Sequence, residues 1–274
     1  MARGNRVEQQ LSQAYLSRFG GIGRLYGQKA LTRFHQAHVM VVGIGGVGTW
    51  VAESLARSGI GQISLMDLDD ICVTNTNRQI HALAGTIGQS KVAVMAERIR
   101  EINPECQVNE LEDFLTTDNL VDYLPRDGGI DYVIDCIDAV KPKAALIAWC
   151  KRNKIRIVTI GGAGGQMDPS KIQVTDLSRT VQDPLLAKVR NILRREYNFS
   201  RNLERKFAIE AVFSTEPLTY PGSDGEVCAT KPENGGSMRM DCSSGFGAVT
   251  VVTGTFGFMA VSRVLAKLRQ QANS

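Results

Sequence analysis

His38-Val39-Met40-Val41-Val42-Gly43-Ile44-Gly45-Gly46-Val47-Gly48 is the stretch whose reading decides the fold. A short, mostly apolar run that ends on glycine reads as a buried parallel strand. Val47, Trp50, Val51 and Leu55 follow at helical spacing, so residues 47–58 read as a helix. A strand, a glycine loop and a helix start form a phosphate cradle. Missing side chains let the anion approach the backbone, and the helix N-terminus supplies N–H donors and partial positive charge. By itself the loop says nucleotide without saying which one.

The same alternation continues outward. Gln62–Asp67, Gln107–Leu111, Tyr132–Cys136 and Arg156–Ile160 read as strands, and 91–102 and 143–152 as the helices between them. Strand–helix alternation predicts an α/β fold: a doubly wound, mostly parallel Rossmann-like sheet. Residues 7–36 read as helix, broken at Phe19-Gly20-Gly21-Ile22-Gly23. After Gly165 the pattern changes to a C-terminal α/β elaboration. Strands are expected at 171–177 and 211–215, a basic helical insert at 183–206, a Gly- and Pro-rich loop at 217–241 and an apolar helix at 246–268. No clean linker interrupts the chain. Residues 1–274 therefore read as one domain, with a Rossmann-like nucleotide-binding core at 15–165 and a substrate-binding elaboration at 166–274.

Ligands in such sheets bind at the carboxyl ends of the strands. Asp67 lies there, 19 residues after Gly48, where a carboxylate can take ribose hydroxyls. A nicotinamide-binding redox protein would share everything to this point. Arg78, Lys91 and Asp138 argue against it. A site that splits a triphosphate needs cations on the phosphates and a carboxylate for Mg²⁺.

Gly43-x-Gly45-Gly46-x-Gly48, Asp67-x-Asp69, Asn75-x-x-Arg78-Gln79, Lys91 and Asp135-Cys136-Ile137-Asp138 together resemble the ubiquitin-activating-like adenylating enzymes of the molybdopterin and thiamine pathways. The resemblance implies ATP held by the four glycines, by Asp67, Asp69 and Lys91 at the ribose and phosphates, and by Asn75, Arg78 and Gln79 around the phosphates. It implies Mg²⁺ on Asp138. The segment Arg18-Phe19 to Arg24-Leu25-Tyr26-Gly27 resembles the family's N-terminal motif, whose arginine reaches the partner subunit's ATP. Arg24 takes that role here and implies a homodimer.

The chain departs from the common members, which carry two C-x-x-C zinc pairs. None of its six cysteines is in such a pair, so no zinc is expected. Gly161-Gly162-Ala163-Gly164-Gly165-Gln166, Val212–Glu216, Arg239–Gly247 and the basic insert are instead similar to a tRNA-modifying branch. That likeness implies adenylation of the threonylcarbamoyl carboxylate on a modified adenosine of tRNA. Ring closure onto the acyl carbon follows, with loss of AMP and a net loss of water. The alternative is activation of a small sulfur-carrier or ubiquitin-like protein. Cys242, three residues after Arg239, is either a reactive thiol or a small buried hydrophobe. A monovalent cation (Na⁺ or K⁺) by the glycine loops and a cysteine-desulfurase or sulfur-acceptor partner fit the resemblance, but no motif carries them.

Charge points the same way. The whole chain carries +4, yet residues 1–38 and residues 179–206 each carry a net +5. Lys188, Arg190, Arg194, Arg195, Arg201 and Arg205 are the candidate tRNA contacts, the alternative being a solvated helix face. The unpaired cysteines and the absence of an apolar N-terminal run predict a cytoplasmic protein. Residues 242–262 carry no charge, but ten are Gly, Ser or Thr, so they read as a core helix rather than a membrane span.

Overall fold

The computed structural model describes residues 10–126, 129–222, 226–228 and 246–273. Seven strands form one sheet: β1 (His38–Val42), β2 (Gln62–Met66), β3 (Gln107–Leu111), β4 (Tyr132–Asp135), β5 (Arg156–Ile160), β6 (Ile172–Asp176) and β7 (Glu210–Ser214). Their order is β3-β2-β1-β4-β5-β7-β6. All neighbours run parallel except β6, which is antiparallel to β7. The sheet is therefore the mostly parallel, doubly wound one that the alternation predicts. The order reverses between β1 and β4, and the crevice at such a switch point is where ligands bind. A small hairpin, β8 (Tyr220–Pro221) with β9 (Val227–Cys228), lies in the expected loop region.

Helices cover both faces: α1 (Gln13–Tyr26), α2 (Gln28–His35), α3 (Gly48–Arg57), α4 (Lys91–Ile102), α5 (Leu120–Tyr123), α6 (Val140–Asn153), α7 (Pro184–Glu196) and α8 (Thr250–Ala272). One core layer packs α2, α3, α4 and α8 on the sheet, with Phe34, Leu55, Met95 and Phe256 buried in it. The other packs α6 and α7, with Leu146, Ile147, Val189 and Leu193 buried.

Two expectations about helices need correction. Gly20, Gly21 and Gly23 do not interrupt α1; the break falls at Gly27, whose φ is positive at 95°. Packing overrides glycine's weak helix propensity here. A Cβ on Gly23 would stand 3.0 Å from Gln28 and 3.1 Å from Leu31, so the glycine lets α1 and α2 close on each other. The basic insert is helical only to Glu196. The N–H groups of Tyr197 and Phe199 both turn back to the Leu193 carbonyl, and Asn198 takes φ 57°. Phe199 then packs edge-on against Phe207, so Arg201, Arg205 and Lys206 lie in an irregular segment rather than on the helix.

From Thr250 onward the uncharged C-terminal stretch is a core helix. α8 is long and apolar enough to cross a membrane by length and composition. Its face of Val252, Phe256, Ala260 and Val264 is nonetheless buried against the sheet and helices. Gly257 lets it touch α3: a Cβ there would meet the Val47 carbonyl at 3.1 Å.

Candidate active site

A cleft of about 600 Å³ opens at the carboxyl ends of β1, β2 and β4, within the range of small-molecule sites. Gly43, Gly45, Gly46, Asp67, Asp69, Asn75, Arg78, Gln79, Lys91 and Asp138 all line it. They come from five separate stretches of chain, and only the fold brings them together. Gly48 does not line the cleft; it closes the loop instead. A Cβ at Gly48 would fall 1.8 Å from the Gly43 carbonyl oxygen, so no larger residue fits that turn. Gly43 itself has φ 91°. A Cβ on Gly46 would meet the Arg78 stem at 3.2 Å, so Arg78 lies directly over the glycine loop.

Local bonds hold each group. Arg78 donates to the Thr74 carbonyl at 2.9 Å and to Asn77 Oδ1 at 3.0 Å. The Trp50 indole N–H anchors the Arg78 carbonyl at 3.0 Å. Buried Asn75 closes its own turn by accepting from Cys72 N–H at 3.0 Å. Gln79 is buried and lines the cleft, and its Oε1 has no partner among the described residues. Asp67 Oδ2 accepts from Ile44 N–H at 2.6 Å and Oδ1 from Asp69 N–H at 2.9 Å. One carboxylate thus fastens the glycine loop to the end of β2. Burial pushes the Asp67 carboxyl up from its ordinary pKa, and the Lys91 ammonium pulls it back. Lys91 Nζ lies 2.7 Å from Asp69 and 3.8 Å from Asp67.

Asp138 is exposed at the cleft beyond β4. Its loop is held from below by a group the sequence reading missed. Lys143, on α6, is fully buried; its Nζ pairs with fully buried Asp135 Oδ2 at 3.0 Å and donates to the Ile137 carbonyl at 2.9 Å. Asp135 also accepts from the Thr159 hydroxyl at 2.6 Å and from Ile137 N–H at 3.1 Å. Burial raises the Asp135 pKa, opposed by the Lys143 charge and these donors. Buried Asp183 extends the network. It caps α7 through Leu186 N–H at 2.8 Å and accepts from Gly162 N–H at 2.9 Å, which ties the glycine-rich turn after β5 to the basic helix. A lysine eight residues after a strand-end aspartate was the available signal, since both face one layer.

The sequence reading also missed the apolar wall. Phe114 and Leu115 after β3, Ile137 and Pro142 near α6, and Leu185 on α7 line the cleft. They follow strand ends, where ligand contacts are expected.

His81 sits beneath the cleft with 1% of its surface exposed, beside the Ile44 backbone. Burial and the Lys91 ammonium lower its pKa from 6.5 to about 4. The unfolded chain therefore binds more protons than the folded one between these values, and stability falls as pH drops through the window. Between pH 7 and pH 4.5 this group should remove about 2–3 kcal/mol, and His81→Leu should flatten that part of the profile. Urea titrations of both proteins at the two pH values measure it.

Arg24 ends α1, is exposed, and does not line the cleft of its own chain. Lys188, Arg195, Arg201 and Arg205 face solvent, with Arg195 paired to Glu196 at 2.6 Å. Arg190 and Arg194 point inward. Arg190 donates to the Thr180 hydroxyl, while Arg194 reaches the Ser200 carbonyl and covers the Phe207 ring at 5.3 Å. Cys242 and Arg239 lie outside the described residues.

The ThiF family model matches residues 21–274. The chain belongs to the ThiF family. Among members of similar length, it is 60% identical over 262 residues to the Escherichia coli tRNA threonylcarbamoyladenosine dehydratase, covering 96% of this chain and 97% of that one. It is 61% identical over 254 residues to the Haemophilus influenzae protein of the same name, covering 93% and 94%. The crystal structure of the Escherichia coli dehydratase in complex with ATP superposes with a TM-score of 0.85 at 54% identity, covering 97% of this chain and 99% of that one.

Proposed function

We propose that this ThiF-family chain acts as one adenylating domain: it activates the carboxylate of threonylcarbamoyladenosine in tRNA with ATP and closes the ring. The observation that carries the reading is the cleft itself. Its phosphate cradle, its cations and its exposed carboxylate converge where the order of strands reverses, in a chain similar end to end to tRNA threonylcarbamoyladenosine dehydratases. ATP lies with its phosphates on the Gly43–Gly46 loop and the start of α3, under Arg78. Lys91, shared between Asp67 and Asp69, neutralises phosphate charge. The substrate carboxylate attacks the α-phosphate, pyrophosphate leaves, and an acyl adenylate forms. The ureido nitrogen of the same modification attacks the acyl carbon and AMP departs. Electrostatic stabilisation and positioning do the catalysis, and the ring closes within the substrate without a protein nucleophile.

Mg²⁺ fits the donor set. Asp138, with Asp70 also on the cleft wall, offers carboxylates without a closed cage among the described residues. Mg²⁺ commonly binds through one or two carboxylates, substrate phosphates and water. It would neutralise the phosphates as charge moves onto pyrophosphate. Pyrophosphate exchange into ATP, assayed with modified tRNA and with tRNA lacking the modification, tests the reading. Exchange only with the modified tRNA supports it; equal exchange with both tRNAs, exchange with neither, or exchange with a carrier protein instead refutes it.

The same reading makes the active unit a homodimer. Arg24 is exposed, away from its own cleft, and beside it Leu25 is 73% exposed. A guanidinium so placed serves the neighbouring subunit's ATP. Arg24→Ala homodimers should lose activity, and mixing them with Lys91→Ala subunits should restore up to about a quarter of it, since one site per mixed dimer is intact and half the dimers are mixed. No recovery on mixing would place Arg24 in its own subunit.

A further inference from the structure

The end of the sheet away from the cleft carries a second, wider groove of about 1130 Å³. It runs along the starts of β4, β5 and β7 and the last turns of α6 and α8. Lys151, Lys154, Arg156, Lys206, Arg263 and Lys267 line it, against two carboxylates, Asp176 and Glu210. The groove therefore carries as much net positive charge as the entire chain, +4. Both carboxylates are engaged: Glu210 with Arg263 at 2.7 Å, and Asp176 with the N–H groups of Ser178 and Phe207. Lys151, Lys154, Arg156 and Lys206 are exposed and form no ion pair among the described residues.

Cations at helix C-termini commonly answer the helix dipole, and Lys151 and Lys154 sit at such an end. Arg156 opens a strand and Lys206 lies in an irregular segment, where no dipole calls for charge. Through Lys151 and Lys206 the groove continues into a neighbouring cleft with Arg152 and the half-buried rings of Tyr197 and Phe199. Unpaired cations with interleaved aromatic rings suit phosphates and bases together. A surface this broad and this charged matches several phosphates rather than one small anion.

We propose that this groove binds the phosphodiester backbone of the tRNA at a point remote from the modified base. The proposal rests on the tRNA reading above and assigns it a surface. The strands of four and five residues between groove and cleft span about 13–17 Å, well within the reach of one folded tRNA. The groove holds the body of the molecule while the modified nucleotide enters a cleft.

The test compares two full-length double variants with equal charge change: Lys151→Glu/Lys206→Glu in the groove, and Lys29→Glu/Lys171→Glu elsewhere. tRNA binding is followed by fluorescence anisotropy across a salt series, and ATP binding by calorimetry. The groove variant should bind tRNA at least about tenfold more weakly, with a log–log salt slope smaller by about two, and bind ATP as the wild type does. The control should stay near wild type. Wild-type affinity and slope in the groove variant, or equal loss in both variants, overturns the proposal. Absence of tRNA binding by the wild type overturns the tRNA reading, and the groove with it.

Discussion

Asp138→Asn should reduce pyrophosphate exchange by about a hundredfold to a thousandfold while the protein stays folded. Removing one group that stabilises transition-state charge costs about that much in other enzymes. Asp138 is exposed, and the backbone beneath it sets its position, its carboxylate making no hydrogen bond among the described residues. The substitution should therefore leave the thermal transition within about 1 °C of wild type, as for a surface change worth less than about 0.5 kcal/mol. Exchange at the wild-type rate with unaltered Mg²⁺ dependence would remove Asp138 from the site.

Lys143→Ala should be the most damaging substitution for the fold. It strips a fully buried ammonium from a fully buried carboxylate and leaves Asp135 with only the Thr159 hydroxyl and one N–H. Breaking such a pair costs about 3–5 kcal/mol, or roughly 6–15 °C in the unfolding midpoint of a chain this size. The loss comes from the stranded charge, so Lys143→Met with Asp135→Leu should recover much of it. Catalysis should not recover, because the double variant still lacks the ammonium that holds the Ile137 carbonyl and aims Asp138 into the cleft. Calorimetry and exchange assays on both variants separate the two effects. A double variant with full activity would show that the buried pair serves stability alone.

The sheet and the phosphate cradle were legible because each rests on a local pattern. The spans 91–102, 107–111 and 156–160 match α4, β3 and β5 end to end, since apolar periodicity and the Asn103-Pro104 stop act within a few residues. The cleft's glycines, Asp67 and Asp138 were legible for a related reason, since strand ends and glycine loops announce themselves in sequence, whereas Arg78 and Lys91, far beyond the end of β2, were legible only through the spacing of a family motif. What was not legible depends on contacts between distant segments. Gly23 stays helical because Leu31 needs its space, and α7 ends early because Phe199 turns back toward Phe207. The inward aim of Arg190 and Arg194 follows from Thr180 and Phe207, neither a helix neighbour. Lys143 reads as one more surface lysine until β4 and α6 are stacked.

The most direct test of the account is mass spectrometry of nucleosides from threonylcarbamoylated tRNA incubated with this chain, ATP and Mg²⁺. The account predicts that the threonylcarbamoyladenosine peak shifts down by the mass of one water as AMP and pyrophosphate appear in equal amounts. It predicts that Asp138→Asn slows that shift by about a hundredfold to a thousandfold. An unchanged nucleoside with no AMP formed, under conditions where the chain is folded and binds ATP, would contradict it.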